Sequence, residues 1–324
     1  MVQIRRNTED VKRSIQSCLL NPCFLLLVGM TFFNSLAVQA RTWVIKPNQN
    51  LKKIISTATA YDTVLIQKGI YPVGNIIVSK PITLIGQNFP VLDGLSKGEI
   101  LTIQSSNVIV RGIQFEHVGI TSMIDWAAVK VIEARDVQIL NNRVRHSYFG
   151  IYLSASDHCL VQGNDIQGNP KEEQNTGNGV HAWKCDRIRI ENNQIQGHRD
   201  GIYFEFVTNS TIKHNDSHQN IRYGLHFMFS HKNGYFYNKF HKNGSGVAVM
   251  YTKYVTMKYN TFSHNWGGAA YGLLLKDISD SHIEQNIFNT NTIAIYMEGC
   301  NRSVFQKPIY RKWLCHAGIG QLRR

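Results

Sequence analysis

A chain of 324 residues has material for one large domain or two ordinary ones, and 43% hydrophobic residues with only 18% charged and 7 prolines describe a folded core rather than a disordered segment. The formal charge of +13 suggests a polyanionic partner until it is apportioned: residues 1–40 carry four basic and two acidic side chains and 307–324 five basic and no acidic ones, leaving 26 basic against 20 acidic, or +6, on the body, too little to mark a nucleic-acid surface. Six cysteines, at 18, 23, 159, 185, 300 and 315, include no CxxC pair, which excludes a zinc ribbon and a dense disulfide framework.

In chain order, residues 24–40 form a short apolar run behind Arg5, Arg6, Lys12 and Arg13 and end on Val38-Gln39-Ala40, with small residues at the positions a signal peptidase reads. The run is too short and interrupted for a membrane span. It predicts a signal peptide with an extended charged start over 1–40, cleaved after Ala40. Residues 50–60 place Leu51, Ile54, Ile55 and Ala58 on one side, which predicts a short amphipathic helix capping the open end of a downstream stack of strands. Strands are then expected at Thr63-Val64-Leu65-Ile66, Ile76-Ile77-Val78, Ile82-Thr83-Leu84-Ile85 and Val108-Ile109-Val110, between Gly and Pro turns.

From residue 142 a repeat dominates. Asn142, Asn164, Asn193, Asn215, Asn238, Asn260 and Asn286 step by 22, 29, 22, 23, 22 and 26 residues, each with Val144, Ile166, Ile195, Ser217, Phe240, Phe262 or Phe288 two residues later. Eight residues after the Asn stand Gly150, Gly201, Gly246 and, after Asn286, Ala294; Gly224 follows its Asn by nine residues, and in the two longer steps Gly272 and Gly179 follow by twelve and fifteen. Apolar alternation comes after the Gly, as in Gly201-Ile202-Tyr203-Phe204-Glu205. A period near 22 with several short one-sided strands fits a right-handed, single-stranded parallel β-helix, an all-β solenoid of about ten coils over residues 41–306, with the Asn side chains stacked in a turn. The longer steps predict insertions at 167–178 and 264–271. After Gln306 the repeat is lost, yet a reading frame one nucleotide on can encode an Asn, a Phe two later and an Ala eight later. A frameshift near codon 307, leaving an aberrant tail over 307–324, is therefore expected.

In each coil the residues two and four after the Gly point outward. One such column holds Tyr152, His181, Tyr203, His226, Ala248, Leu274 and Tyr296; the other holds Ser154, Trp183, Glu205, Met228, Met250, Lys276 and Glu298. An outward stripe rich in aromatics, His and Met points to a ligand, a partner or a covering loop. Within it His226, Met228 and Met250 form a soft donor set that suits copper(I); His158 beside Cys159, with Cys185 one coil on, is a second candidate cluster. Carbohydrate binding or polysaccharide processing is the alternative, with Asp200, Glu205 and Glu298 as carboxylates and Arg199 and Arg222 nearby. Such chemistry needs paired carboxylates or a calcium cluster, and Glu205 and Glu298 fall four coils apart, so no enzymatic activity is expected.

Specific strings go further. Arg222-Tyr223-Gly224-Leu225-His226-Phe227-Met228-Phe229-Ser230, Gly246-Val247-Ala248-Val249-Met250-Tyr251, Tyr271-Gly272-Leu273-Leu274-Leu275-Lys276-Asp277 and Glu298-Gly299-Cys300-Asn301-Arg302 resemble the NosD family, over about 41–306. The upstream strings Asp62-Thr63-Val64-Leu65-Ile66 and Lys80-Pro81-Ile82-Thr83-Leu84-Ile85-Gly86 are shared with many carbohydrate-type, pectin-lyase-like β-helices. The resemblance implies a periplasmic, non-enzymatic accessory protein for maturation of nitrous oxide reductase. It further implies an ABC-type permease with its ATPase and a copper chaperone lipoprotein as partners, and transient copper(I) as the ion handled in assembly of a copper-sulfide centre.

Overall fold

The computed structural model describes residues 40–305 apart from 122, 171, 268 and 269, together with the backbone of 309–310 and 318–319. The expected signal peptide, Cys18, Cys23, Cys315 and most of the expected aberrant tail lie outside the described residues. The described part is built from strands too short to stand alone. A coil such as Thr211–Lys213, Asp216–His218 and Tyr223–Met228 contributes one strand to each of three parallel sheets, and every strand pairs with its counterparts one coil before and one coil after. The first sheet has 12 strands, from Thr42–Ile45 to Val304–Phe305, and the second and third have 11 each. The molecule is a parallel β-helix of about twelve turns, two more than the repeat predicts, because the coils before residue 142 lack the Asn that marks the others. Ile309–Tyr310 and Gly318–Ile319 pair in parallel with Ile287–Asn289 and Ile293–Glu298.

The helix Leu51–Thr57 starts at Asn50, whose side chain accepts the amide of Lys53 at 3.0 Å. Lys80 Nζ donates to the carbonyls of Ser56 and Ala58 at 2.8 and 2.7 Å, satisfying the other end. Leu51, Ile55 and Ala58 join the core, so the helix supplies apolar cover beside the first strands.

The corner between the first and second sheets explains the Asn repeat. A residue at positive φ turns the chain there, for example Asn192, His214, Tyr237 and Tyr259 at 55°, 56°, 56° and 62°, or Gly112 and Gly163 near 69°, and the ladder Asn comes directly after it in the later coils. Each ladder Oδ1 accepts both the backbone N–H and the Nδ2–H of the Asn one coil earlier; for Asn193 and Asn215 these bonds are 3.0 and 2.9 Å. Each Nδ2 also donates to a carbonyl of the preceding coil, as from Asn215 to Ile190 at 2.8 Å. The amide is thereby satisfied at both ends while buried. The run continues unbroken from Asn142 through Asn286.

A second ladder lies outside the repeat that the sequence announces. Asn220, Asn243, Asn265 and Asn291 repeat the same bonds at the corner before the third sheet, with Nδ2 to Oδ1 distances of 3.0, 3.4 and 2.8 Å. One coil earlier the place is taken by buried His198, whose backbone N–H donates to Asn220 Oδ1 at 3.1 Å. The Gly column serves a different need. A Cβ at Gly246 would lie 2.3 Å from the Gly272 carbonyl oxygen, and one at Gly201 2.0 Å from Ser217 Oγ, so these residues are small because neighbouring coils touch there. Inside, Phe240, Phe262 and Phe288 stack with centroids 5.7 and 4.8 Å apart, and Phe204 stacks on Phe227 at 5.1 Å.

Both ladders can be tested by unfolding. Replacing Asn215 by Leu leaves the Asn193 donors and the Ile190 carbonyl without partners in the interior; at about 1–3 kcal/mol per orphaned group, the loss should reach about 3 kcal/mol or more in urea unfolding. Gln194→Ala, at an exposed position in the preceding coil, should stay within about 0.5 kcal/mol. Burial holds the His198 imidazole down to about 4 from its ordinary 6.5, with the carbonyls of Gly177 and Tyr148 opposing that shift. Between these values the unfolded chain binds the proton and the native one does not, so stability falls as pH drops from 6.5 towards 4. His198→Asn, which extends the second ladder, should flatten that slope by up to about 1.4 kcal/mol per pH unit in the same assay.

Candidate functional site

The third sheet carries both outward columns in continuous register. Tyr152, His181, Tyr203, His226, Ala248, Leu274 and Tyr296 are successive Cα partners, as are Ser154, Trp183, Glu205, Met228, Met250, Lys276 and Glu298. Their exposure differs from the sequence expectation. His181, His226 and Ala248 are buried, at 7%, 5% and 0%, whereas Trp183, Tyr203, Glu205, Met228, Met250, Lys276 and Tyr296 are half-buried and Glu298 is exposed. The reason lies at the corner between the second and third sheets, where the insertions emerge. The expected insertion at 167–178 begins only after the strand Asp165–Gly168, includes a short 3-10 turn at Glu173–Asn175, and meets the stripe through three contacts. Gly177 lies against Phe149, Asn178 Nδ2 meets His181 Nδ1 at 3.0 Å, and Glu173 Oε1 stands 3.4 Å from Arg222 Nη1. Residues 117–121 and 123–126, at the same corner two coils earlier, lie outside the strands and include exposed Ile120, Met123 and Ile124.

The wall of the stripe is aromatic. His181 stacks on Tyr152 with centroids 4.4 Å apart, and Tyr203 and Tyr223 pack against His226 at 5.1 and 4.8 Å. Burial holds the His181 imidazole down to about 3, with Arg199 and Lys130 helping and Asp200 opposing, so it is neutral at physiological pH. Burial likewise pushes the Tyr152 and Tyr203 hydroxyls up to about 12.

At the centre, Asp200 is fully buried. Its Oδ1 accepts the Tyr223 amide at 3.3 Å. Three charged or basic groups face it at longer range: Arg222 Nε at 3.6 Å, and Arg199 Nε and His226 Nδ1 both at 3.7 Å. Asp200 Oδ2, Arg199 Nε and both ring nitrogens of His226 find no hydrogen-bond partner among the described residues. Groups left unbonded by protein atoms carry a desolvation penalty unless a further partner, a water or a ligand, meets them. Met228 and Met250 are direct cross-strand partners on the same outward face, two positions along the strands from His226 and Ala248. An imidazole with free nitrogens and two thioethers side by side fit a soft ion such as copper(I).

The other candidates are not brought together. Cys159 and Cys185 are free and buried, their thiols pushed up by burial to about 12 and about 11, while His158 points outward into contacts with Asp157, Arg135 and Arg187. These thiols pack rather than ligate. Glu205 and Glu298 stand four strand steps apart in one column, about 19 Å at ~4.8 Å per step.

Residues 162–312 match the family described as periplasmic copper-binding protein (NosD). A protein of Stutzerimonas stutzeri named as a probable ABC transporter binding protein NosD is 30% identical over 131 residues, and its counterpart in Pseudomonas aeruginosa 28% identical over 130. Each match covers 40% of this chain and 30% of the relative's length. Among solved structures, an alginate lyase from Paenibacillus sp. str. FPU-7 superposes with a TM-score of 0.68 at 15% identity, covering 81% of this chain and 99% of its own. A polygalacturonase from Erwinia carotovora ssp. carotovora gives 0.59 at 11%, covering 86% and 96%. At such identities the two structures speak for the pectin-lyase-like fold alone. The segment that carries the stripe from Trp183 to Glu298, with its buried His226 and paired methionines, is also the segment that matches the family model.

Proposed function

We propose that this chain is a periplasmic accessory protein that holds copper(I) transiently as cargo during maturation of nitrous oxide reductase, without making or breaking covalent bonds itself. The observation that carries the reading is His226, buried beside Asp200 with both ring nitrogens unpartnered among the described residues and with Met228 and Met250 on the same face. The family description as copper-binding and periplasmic, and the naming of the relatives as ABC transporter binding proteins, support the cargo, the compartment and an ABC-type permease with its ATPase as partners. A lipoprotein chaperone supplying the copper completes the route. The half-buried remainder of the stripe, Trp183, Tyr203, Glu205, Lys276, Tyr296 and exposed Glu298, is then the docking border around the cargo site. The carbohydrate alternative is weaker because its carboxylates are scattered: Asp200 is buried among arginines, and Glu205 is remote from Glu298.

The decisive comparison is a triple variant, His226→Gln, Met228→Leu and Met250→Leu, with an unchanged melting temperature. Copper(I) affinity, read by competition with a chromogenic chelator, should fall at least about a hundredfold, since a soft ion loses every soft donor. Co-expressed reductase should lose its copper-sulfide absorption. Normal affinity with failed maturation would make the stripe a docking surface only; normal values of both would overturn the proposal. Export is part of the same reading, and N-terminal sequencing of periplasmic protein should begin at Arg41.

A further inference from the structure

A cluster that the copper(I) reading does not use lies on a different sheet. Asp216 and His218 are two residues apart on the strand Asp216–His218, and His241 ends the next strand of the second sheet, Lys239–His241, as the direct Cα partner of His218. Parity puts all three on the outward face. The side chains converge: Asp216 Oδ1 lies 3.1 Å from His218 Nδ1 and 2.8 Å from His241 Nε2, and the three ligand atoms all fall within 4.8 Å of one another. The imidazoles are stacked with centroids 4.8 Å apart and planes 6° from parallel; because an imidazole lone pair lies in its ring plane, binding one ion requires a ring to rotate about its side-chain bonds, and no backbone change.

We propose that Asp216, His218 and His241 form a binding site for a borderline divalent transition ion of the zinc(II) class, separate from the copper(I) cargo site. Two imidazole nitrogens and one carboxylate oxygen are the donor set of open zinc sites, in which water supplies the fourth ligand. Tetrahedral coordination at 2.0–2.1 Å places ligand atoms about 3.3 Å apart, so the observed 2.8 and 3.1 Å need to widen only by a few tenths of an ångström. His218 ligates through Nδ1 and His241 through Nε2, each ring keeping its proton on the other nitrogen. All three side chains are half-buried, at 20–34%, which leaves an outer side for water. The set lacks sulfur, and that sets it apart from the stripe: imidazole and carboxylate favour a divalent ion where thioether favours copper(I). Lys239, the Cα partner of Asp216, brings a cation into the adjoining register, and as an exposed side chain it can turn into solvent.

The test uses the full chain, stripped by a chelator and titrated with cobalt(II) as a spectroscopic probe. Visible d–d absorption should rise to one equivalent and be displaced by zinc(II). Asp216→Asn and His241→Gln should each weaken cobalt(II) binding at least about tenfold, whereas the His226, Met228 and Met250 triple variant should keep it. Cobalt(II) bound equally well by a His218→Gln, His241→Gln double variant would overturn the proposal. Because a variant can fail to fold, wild-type protein supplies a second reading. Zinc(II) should shift the side-chain nitrogen resonances of His218 and His241, and unchanged resonances at saturating zinc would overturn the proposal as well. Neither result bears on copper(I), so this site and the cargo site stand or fall independently.

Discussion

Neighbouring coils of a parallel β-helix must sit one strand spacing apart, about 4.8 Å, at every point around the turn, and most of this molecule answers to that distance. At the strands the backbone ladder enforces it. At the corners no backbone ladder runs, so side chains have to hold the repeat, and an amide is well suited because it donates and accepts along the axis at once. Asn142 to Asn286 do this at one corner and Asn220 to Asn291 at another, each amide buried within a chain of bonds that runs from coil to coil. Glycine meets the same spacing from the opposite direction: where backbones approach as at Gly246 and Gly272, a Cβ would not fit.

The functional geometry is a consequence of the same spacing. Once coils are in register, every outward position becomes a column, and a donor set can be assembled from residues more than twenty positions apart without any loop. Met228 and Met250 meet in this way, as do His218 and His241. Unlike the columns, the cluster at Asp200 is not dictated by the repeat. There a fully buried carboxylate accepts one backbone amide and is flanked by two arginines and an imidazole at 3.6–3.7 Å, so its desolvation is offset in part by charge rather than by a repeating bond.

How far the sequence discloses this architecture depends on whether a signal repeats. The first Asn ladder recurs seven times at the coil length, and parity after the Gly orders both columns of the third sheet, so Trp183, Glu205, Met228 and Met250 can be placed side by side from spacing alone. One coil before Asn142 the ladder place holds Ile113, and no ladder Asn comes earlier, which is why the repeat counts two turns too few. The second ladder is present at steps of 23, 22 and 26 from Asn220, but it starts late and His198 stands in its first place. Burial of His181 is not legible, because it depends on where the chain passes between Gly168 and Val180, and a single insertion has no periodicity to read.

The two donor sets also show why a solenoid can keep different chemistries apart. The third sheet buries its imidazoles among tyrosines and sets sulfur beside them; the second leaves Asp216, His218 and His241 half open to water. A soft monovalent ion gains most where water is excluded and polarizable donors are near, whereas a divalent ion needs an anionic ligand to offset its charge and gains from a retained water. On the two proposals above, each face would disfavour the other's ion, and that discrimination would require no movement of the backbone. It arises from which side chains the common register stacks on which sheet.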